Sequence, residues 1–197
     1  LANPNLKPGM EDLQANYTHA QELLQIRNSS PLFRLQTEED VMGRLQFLNT
    51  GPDQIPGLIV MRLSDKVDTL PDIDPAHEDV VVLFNATDVT QTFTLSDVVG
   101  QSFQLHSVQA NSADAVVRGS TYDEATGAFT APPRTTAVFV QPAVLAGLEI
   151  NPGTLAPAFD SAVFSYTVQL PALVQTLMLT PTFEGSAVAM INGVEVA

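Results

Sequence analysis

The chain has 197 residues, a formal net charge of −14 and no cysteine. That length holds one or two domains, and the acidic balance argues against nucleic acid and anionic lipid, both of which call for clustered Lys and Arg. Without cysteine there is no disulfide, no zinc-thiolate site and no cysteine nucleophile.

Taken in order, Leu1–Gly9 reads as a loop broken by Pro4, Pro8 and Gly9. It lacks a charged region followed by an apolar one, so it is not read as a signal peptide; it reads as the middle of a longer chain. No apolar run approaches the ~20 residues of a membrane span. Met10–Arg27 is predicted to be an amphipathic helix. Gly9 is its N-cap, Glu11 and Asp12 occupy the first turn where the helix dipole favours acids, and Arg27 the last. Leu13, Tyr17, Ala20 and Leu24 share a face at helical spacing, widened by Leu23 and Ile26. This stripe is expected to pack on the following β domain and to remain partly exposed.

At Asn28-Ser29-Ser30-Pro31 the pattern changes. Pro31 offers no backbone donor and pushes Ser30 towards an extended conformation. Thr37 followed by Glu38-Glu39-Asp40 predicts a cap and a short helical turn. Strands are predicted at Arg44–Asn49, Leu58–Leu63 and Val80–Asn85, the last an unbroken apolar run that implies burial on both faces. Thr50–Gly57 is dense in turn residues. Short strands are also predicted at Thr92–Leu95, Phe103–His106, Ala115–Arg118, Ala128–Thr130 and Thr136–Val140, at a spacing that suggests an antiparallel sandwich. Composition shifts near Pro142. Beyond it, strands are expected at Leu148–Ile150, Phe164–Leu170, Thr176–Pro181 and Ala187–Ile191, about half the strands of an immunoglobulin-like sandwich. The fold class is therefore mainly β: an antiparallel β-sandwich preceded by one amphipathic helix, plus a second, partial β-sandwich.

Three phrases carry a family resemblance: ELLQIRNSSPLFRL at Glu22–Leu35, NTGPDQIPGLIVM at Asn49–Met61 and VVVLFNAT at Val80–Thr87. With APPRTTAVFV at Ala131–Val140 they resemble the C-terminal region of pullulanase-type α-1,6-glucosidases, debranching members of the α-amylase superfamily. The resemblance implies that residues 1–35 supply the last helix of a catalytic barrel and the entry to the β domain, and that residues 36–141 are the C-terminal sandwich. Residues 145–197, with LAGLEINPGTLAPAFDSAVFSYTVQLP and INGVEV, resemble a bacterial cadherin-like sandwich. That family's final strands follow INGVEV, so this unit is expected to be partial and the least stable part of the chain. The parent would hydrolyse α-1,6 branch links in pullulan, starch or glycogen outside the cell or at the cell surface of a bacterium. The fragment itself would be non-catalytic, bracing the barrel and spacing it from downstream modules. The alternative is a stand-alone module that binds polysaccharide or a cell-surface partner. Its partners would be the missing barrel and, through the parent, α-glucan; a homo-oligomer could form through the exposed helix face or a sheet edge.

The residues themselves assemble no active site. Glycoside cleavage needs two carboxyl groups flanking the bond. In such barrels they sit at the ends of barrel strands, and no position here matches that motif. Glu38-Glu39-Asp40 and Glu78-Asp79 read as structural or solvated acids. Asp65, Asp68, Asp72, Asp74, Glu78 and Asp79 form an acidic loop whose spacing is not that of an EF-hand, so calcium is not expected there and its carboxylates are expected to be solvated. His19, His77 and His106 are scattered. Asn16-Tyr17-Thr18, Asn28-Ser29-Ser30 and Asn85-Ala86-Thr87 match glycosylation sequons, which in a bacterial protein are chance matches. Tyr17 and Tyr166 read as core and Tyr122 as a loop residue, so no aromatic sugar platform is expected. No catalytic, cofactor-binding or metal-binding residue is assigned, and no cofactor.

Overall fold

A computed structural model describes residues 7–160, 165–174, 176–184, 189–191 and 194–196. Helix α1 spans Met10–Ser29. Its start follows the sequence: Gly9 is extended, and its N–H donates to the Asp12 carboxylate at 2.8 Å. It ends where Ser30 turns extended ahead of Pro31, and a single 3₁₀ turn, Pro31–Arg34, follows. Helix α2, Glu38–Arg44, is capped by the Thr37 hydroxyl, which accepts from the Asp40 N–H.

Five strands make the larger sheet: β1 (Leu45–Phe47), β2 (Leu58–Ser64), β3 (His77–Asn85), β5 (Gln104–Leu105) and β8 (Thr135–Pro142), in the order β1-β2-β3-β8-β5. Three more, β4 (Gln91–Thr94), β6 (Thr121–Asp123) and β7 (Ala128–Ala131), form a second sheet in the order β4-β7-β6. All these pairs are antiparallel.

Side chains alternate across a strand, so the two central strands feed two cores. Val81 and Leu83 of β3, with Ala137 and Phe139 of β8, face the smaller sheet and pack with Leu58, Val60, Leu95, Val98, Phe103 and Phe129. Val80, Val82, Val138 and Val140 face the other way, under Ile26 and Leu32. From Val80 to Leu83 the run of β3 is thus buried on both faces, as predicted, because the sheet has the second sheet on one side and the helical segment on the other; Phe84 at its end is exposed.

Polar side chains complete the ladders. β5 meets β8 only at Val140 and Phe139. Beyond it Gln109, in the short helix α3 (Ser107–Ala110), takes over: its amide donates to Thr136 O at 2.7 Å and accepts from Val138 N at 2.8 Å. Asn49 organises the turn-rich loop, bonding Ile55 N, Ile55 O and Leu58 O. Gly57, at φ +76°, closes that loop where a Cβ would lie 2.7 Å from the Thr87 methyl group. Asn85 is buried, and its amide reaches Val89 O, Ala131 O and Pro132 O, tying β3 to the end of β7. That side chain is structural; the sequon match at Asn85 has no free amide to offer.

Three expectations are corrected. Ala115–Arg118 is not a strand; Val117–Gly119 is a 3₁₀ turn, held by local bonds from Val116 N to the Asp114 carboxylate and from Gly119 N to Val116 O. Tyr122 is not in a loop but in β6, with its ring 4.5 Å from that of Phe129 and 5.3 Å from that of Phe103. Its hydroxyl lies 2.8 Å from Val98 O. Tyr17 is not core but exposed. A short polar-flanked strand such as Thr121–Asp123 gives no periodic signal of its own; the sheet beside it makes it a strand.

After Pro142 the described residues form three two-stranded antiparallel pairs. β9 (Val144–Asn151) pairs with β12 (Met178–Glu184), β10 (Thr154–Ala156) with β11 (Thr167–Gln169), and β13 (Ala189–Ile191) with β14 (Val194–Val196). The strand expected at Phe164–Leu170 shortens to Thr167–Gln169, and Phe164 lies outside the described residues. So do Asn192 and Gly193, the centre of INGVEV. Tyr166 is half-buried, stacked on Phe159 with ring centroids 6.1 Å apart.

Candidate functional site

Two features stand out: how α1 meets the β domain, and the loop between β2 and β3. At about 100° per residue, Met10, Leu13, Tyr17, Ala20 and Leu24 share one face of α1. The face that contacts the domain is the opposite one. Ile26 is buried at 3% exposure, while Leu24 is 65% and Tyr17 59% exposed. The docking contacts are polar apart from Ile26: the Ser112 hydroxyl donates to Glu22 at 2.9 Å, and Ser29 Oγ lies 3.0 Å from His106 Nε2. Of the apolar stripe expected to pack on the sandwich in part, only Ile26 at its widened edge does so; Leu13, Tyr17 and Leu24 point away. Helical period shows that a face is apolar but not which neighbour covers it. The larger sheet carries a second apolar area. Ile59 and Phe84 are cross-strand partners, on the sheet face that holds the Val80–Val82 core, and both are exposed; Phe47, paired with Met61, extends that face.

The serines at the junction are anchors. The Ser30 hydroxyl donates to the Asp74 carboxylate and accepts from Leu32 N at 3.0 Å. Asp74 also meets His77 Nδ1 at 3.0 Å. Burial opposes the charge on Asp74, yet the hydrogen bonds from His77 and Ser30 hold its carboxyl below the usual range. At Asn28-Ser29-Ser30-Pro31, where the sequence pattern changes, each serine thus ties the helix exit to a different loop.

Ser29 beside His106 invites comparison with a nucleophile and base. The Val108 N–H donates to His106 Nδ1 at 3.2 Å. Nδ1 is thus an acceptor and the proton sits on Nε2, from which it is donated to Ser29 Oγ; that hydroxyl donates on to Ile26 O at 2.8 Å. A base must have Nε2 free to take the hydroxyl proton, with an acid holding Nδ1–H. Here both nitrogens are set the opposite way. Burial first, then the charge of His77, lowers the His106 pKa and keeps the ring neutral.

The acidic loop is solvated only in part: Asp68 is exposed and Asp72 half-buried. Asp65, Asp74, Glu78 and Asp79 are all buried. Two of them, Asp65 and Asp79, are paired with cations that the sequence does not place beside them. Arg44, fully buried at the end of α2, donates to Asp65, to Pro71 O and, at 3.1 Å, to Asp40. Arg62 on β2 forms a two-point pair with Asp79 across the sheet at 2.9 Å and also bonds Asp97. Hydrogen bonding to Asp79 raises the Arg62 pKa further. Of the predicted acids, Asp40 is held below its ordinary range by hydrogen bonds from Thr37 and then Arg44. Arg44 is the residue that sequence reasoning missed, since an Arg at a helix–strand junction reads as solvated. Among the described residues no group of three His, Asp or Glu side chains is placed to hold a metal ion. No helix among them is long and apolar enough to cross a membrane. His19 lies apart from the other histidines, 4.0 Å from Glu22, on the rim of a polar groove of about 690 Å³ between α1 and the end of β8.

Comparison with known proteins gives a consistent picture. Residues 1–142 match the family model described as alpha-1,6-glucosidases, pullulanase-type, C-terminal. The chain is 41% identical over 144 residues to Pullulanase 1, chloroplastic, of Arabidopsis thaliana, covering 72% of this chain and 15% of that protein. It is 33% identical over 135 residues to a pullulanase of Klebsiella pneumoniae, covering 68% and 12%. The structure of PulA from Klebsiella pneumoniae in complex with maltotriose is similar at a TM-score of 0.63 and 36% identity, over 68% of this chain and 14% of that one. The chain thus spans less than a sixth of the relatives it matches. The matched region ends at the last strand of the larger sheet. From residue 1 to residue 142, this chain belongs to the family of pullulanase-type α-1,6-glucosidase C-terminal domains.

Proposed function

We propose that this chain is a non-catalytic β module of a debranching glycoside hydrolase, which braces the catalytic remainder of the parent enzyme. One observation carries the reading: the apolar stripe of α1 is turned away from the chain's own core. Exposed apolar patches of this kind mark interaction surfaces, and the matched relatives are several-fold longer than this chain. The stripe and the exposed Ile59–Phe84 pair would close on the rest of the parent. Residues 145–197, read as cadherin-like, would space this assembly from further modules, and an extracellular or cell-surface location belongs to the same proposal. The polar groove beside His19 supports the polysaccharide-binding alternative poorly, since no aromatic ring lines it.

The bracing role is tested in the full-length parent. Leu13→Asp and Leu24→Asp together are expected to leave the fold of this module intact, because surface changes cost within about 0.5 kcal/mol. They are expected to lower the temperature at which pullulan hydrolysis is lost. Unchanged heat stability of that activity would overturn the bracing role. The chain on its own is expected to release no reducing ends from pullulan above a boiled control; release would show a catalytic site in this chain.

A further inference from the structure

The buried acids between β2 and β3 outnumber the cations that serve them. Arg44 is shared among Asp40, Asp65 and Pro71 O, and Arg62 between Asp79 and Asp97. Lys66 bonds Gln141 at 2.9 Å, at the surface. His77 is taken by Asp74. That leaves Asp72 and Glu78. Asp72 Oδ1 and Asp65 Oδ2 converge on one hydrogen: both accept from Asp74 N, at 3.0 and 2.6 Å. Two carboxylates crowded in this way cannot both ionise at ordinary cost. Glu78 is 5% exposed, and its Oε2 is buried with no hydrogen-bond partner. A carboxylate oxygen in that position is costly, while a protonated carboxyl is less so.

The strap that joins β2 to β3 is held by this cluster. Asp65 accepts from Ile73 N at 3.0 Å as well as from Asp74 N, and Arg44 holds Pro71 O. We propose that residues 65–78 form a proton-held clasp, pinned while Asp72 holds a proton against Asp65 and Glu78 is neutral, and loosened once Asp72 and Glu78 ionise.

The titration agrees with the geometry. Burial first, then the hydrogen bond shared with Asp65, pushes Asp72 up to about 7. Burial also raises Glu78, against the pull of Lys66. Both groups are raised from their ordinary values, so the folded chain holds protons that the unfolded chain has lost. The stabilisation is complete below those ordinary values and falls away as pH rises, through about 7 for Asp72. His106 works in the opposite direction. Its lowered value means stability gained as pH rises to the ordinary histidine range, and complete above it. Asp40, Asp74 and Asp97, held low, lose their contributions only in acid.

The test uses the intact chain. Carbon-13 NMR of the Asp72 carboxyl is expected to give a midpoint near 7, against about 4 for an ordinary aspartate. Amide protection at Ile73 and Asp74, corrected for the intrinsic pH dependence of exchange, is expected to drop about tenfold between pH 6 and pH 8.5, with no change at Val81. In Asp72→Asn, which carries no titrating proton, the drop is expected to shrink, and Glu78→Gln should reduce it independently. A midpoint near 4, or equal protection at both pH values, overturns the clasp. If either variant fails to fold, the titration and exchange of the unaltered chain decide alone.

Discussion

Replacing Phe129 by Ala is expected to destabilise the sandwich by about 3–5 kcal/mol, the range for deleting a large ring from a closed core. Phe129 is fully buried at the centre of the smaller sheet. Its ring meets Phe139 of the facing sheet at 5.2 Å in an edge-on contact, Phe103 at 5.2 Å and Tyr122 at 4.5 Å. Such pairs add to the area term. They also hold the two sheets together, since Phe129 and Phe139 come from opposite layers. The cavity cannot close easily, because its walls are two hydrogen-bonded sheets rather than a loop. Domains of this size have only about 5–15 kcal/mol in total, so the variant should lose roughly 10 °C or more of Tm. Urea unfolding followed by circular dichroism measures it. A loss below about 1 kcal/mol would show that the site collapses, contrary to the packing described. Phe93, which packs at the edge of the same core, is the comparison; Phe93→Ala should cost less.

The second large effect is electrostatic. Asp65→Ala leaves the Arg44 guanidinium buried with Asp40 as its remaining acid and removes the acceptor for Ile73 N and Asp74 N. Breaking a buried pair from one side costs about 3–5 kcal/mol, because the surviving charge stays desolvated. The reverse change, Arg44→Met, should cost a similar amount, with Asp65 now unpaired. Both changes together should cost clearly less than their sum, since neither charge is then stranded. A double-mutant cycle on urea unfolding reads the coupling directly. Simple additivity would mean that the pair is not the unit described. Arg62 and Asp79 provide a contrast: Arg62 keeps some access to water and a second acid in Asp97, so Arg62→Met should cost less than Arg44→Met.

Much of the architecture is legible in the chain itself. The limits of α1 follow from Gly9, Asp12 and Pro31, which act on their own neighbours and need no partner elsewhere. The cap of α2 follows from Thr37 for the same reason. The run at β3 announced a strand buried on both faces, because the five successive apolar residues Val80–Phe84 cannot all point to one side of a sheet. The phrases around Asn49 and Asn85 were visible as a family resemblance, and the structure gives them a cause: each asparagine satisfies backbone groups of a loop that could not otherwise be closed.

What the sequence could not decide was the pairing of distant surfaces. The helical period of Leu13, Tyr17 and Leu24 marked an apolar face, but only the fold shows that Ile26, Ser29 and Glu22 dock while that face turns outward. The acids at Asp65–Asp79 read as solvated, because charged residues in a loop are normally exposed; Asp65 and Asp79 are instead buried against Arg44 and Arg62, both on other elements, and Asp74 against Ser30 and His77. Tyr122 looked like a loop residue because its strand is too short to carry a period and exists only by pairing with β7. Local rules of capping, φ restriction and alternation act over a few residues and are written in the chain. Burial, ion pairing and the choice of neighbour act between residues far apart in sequence, so they were decided only when the two sheets and α1 came together.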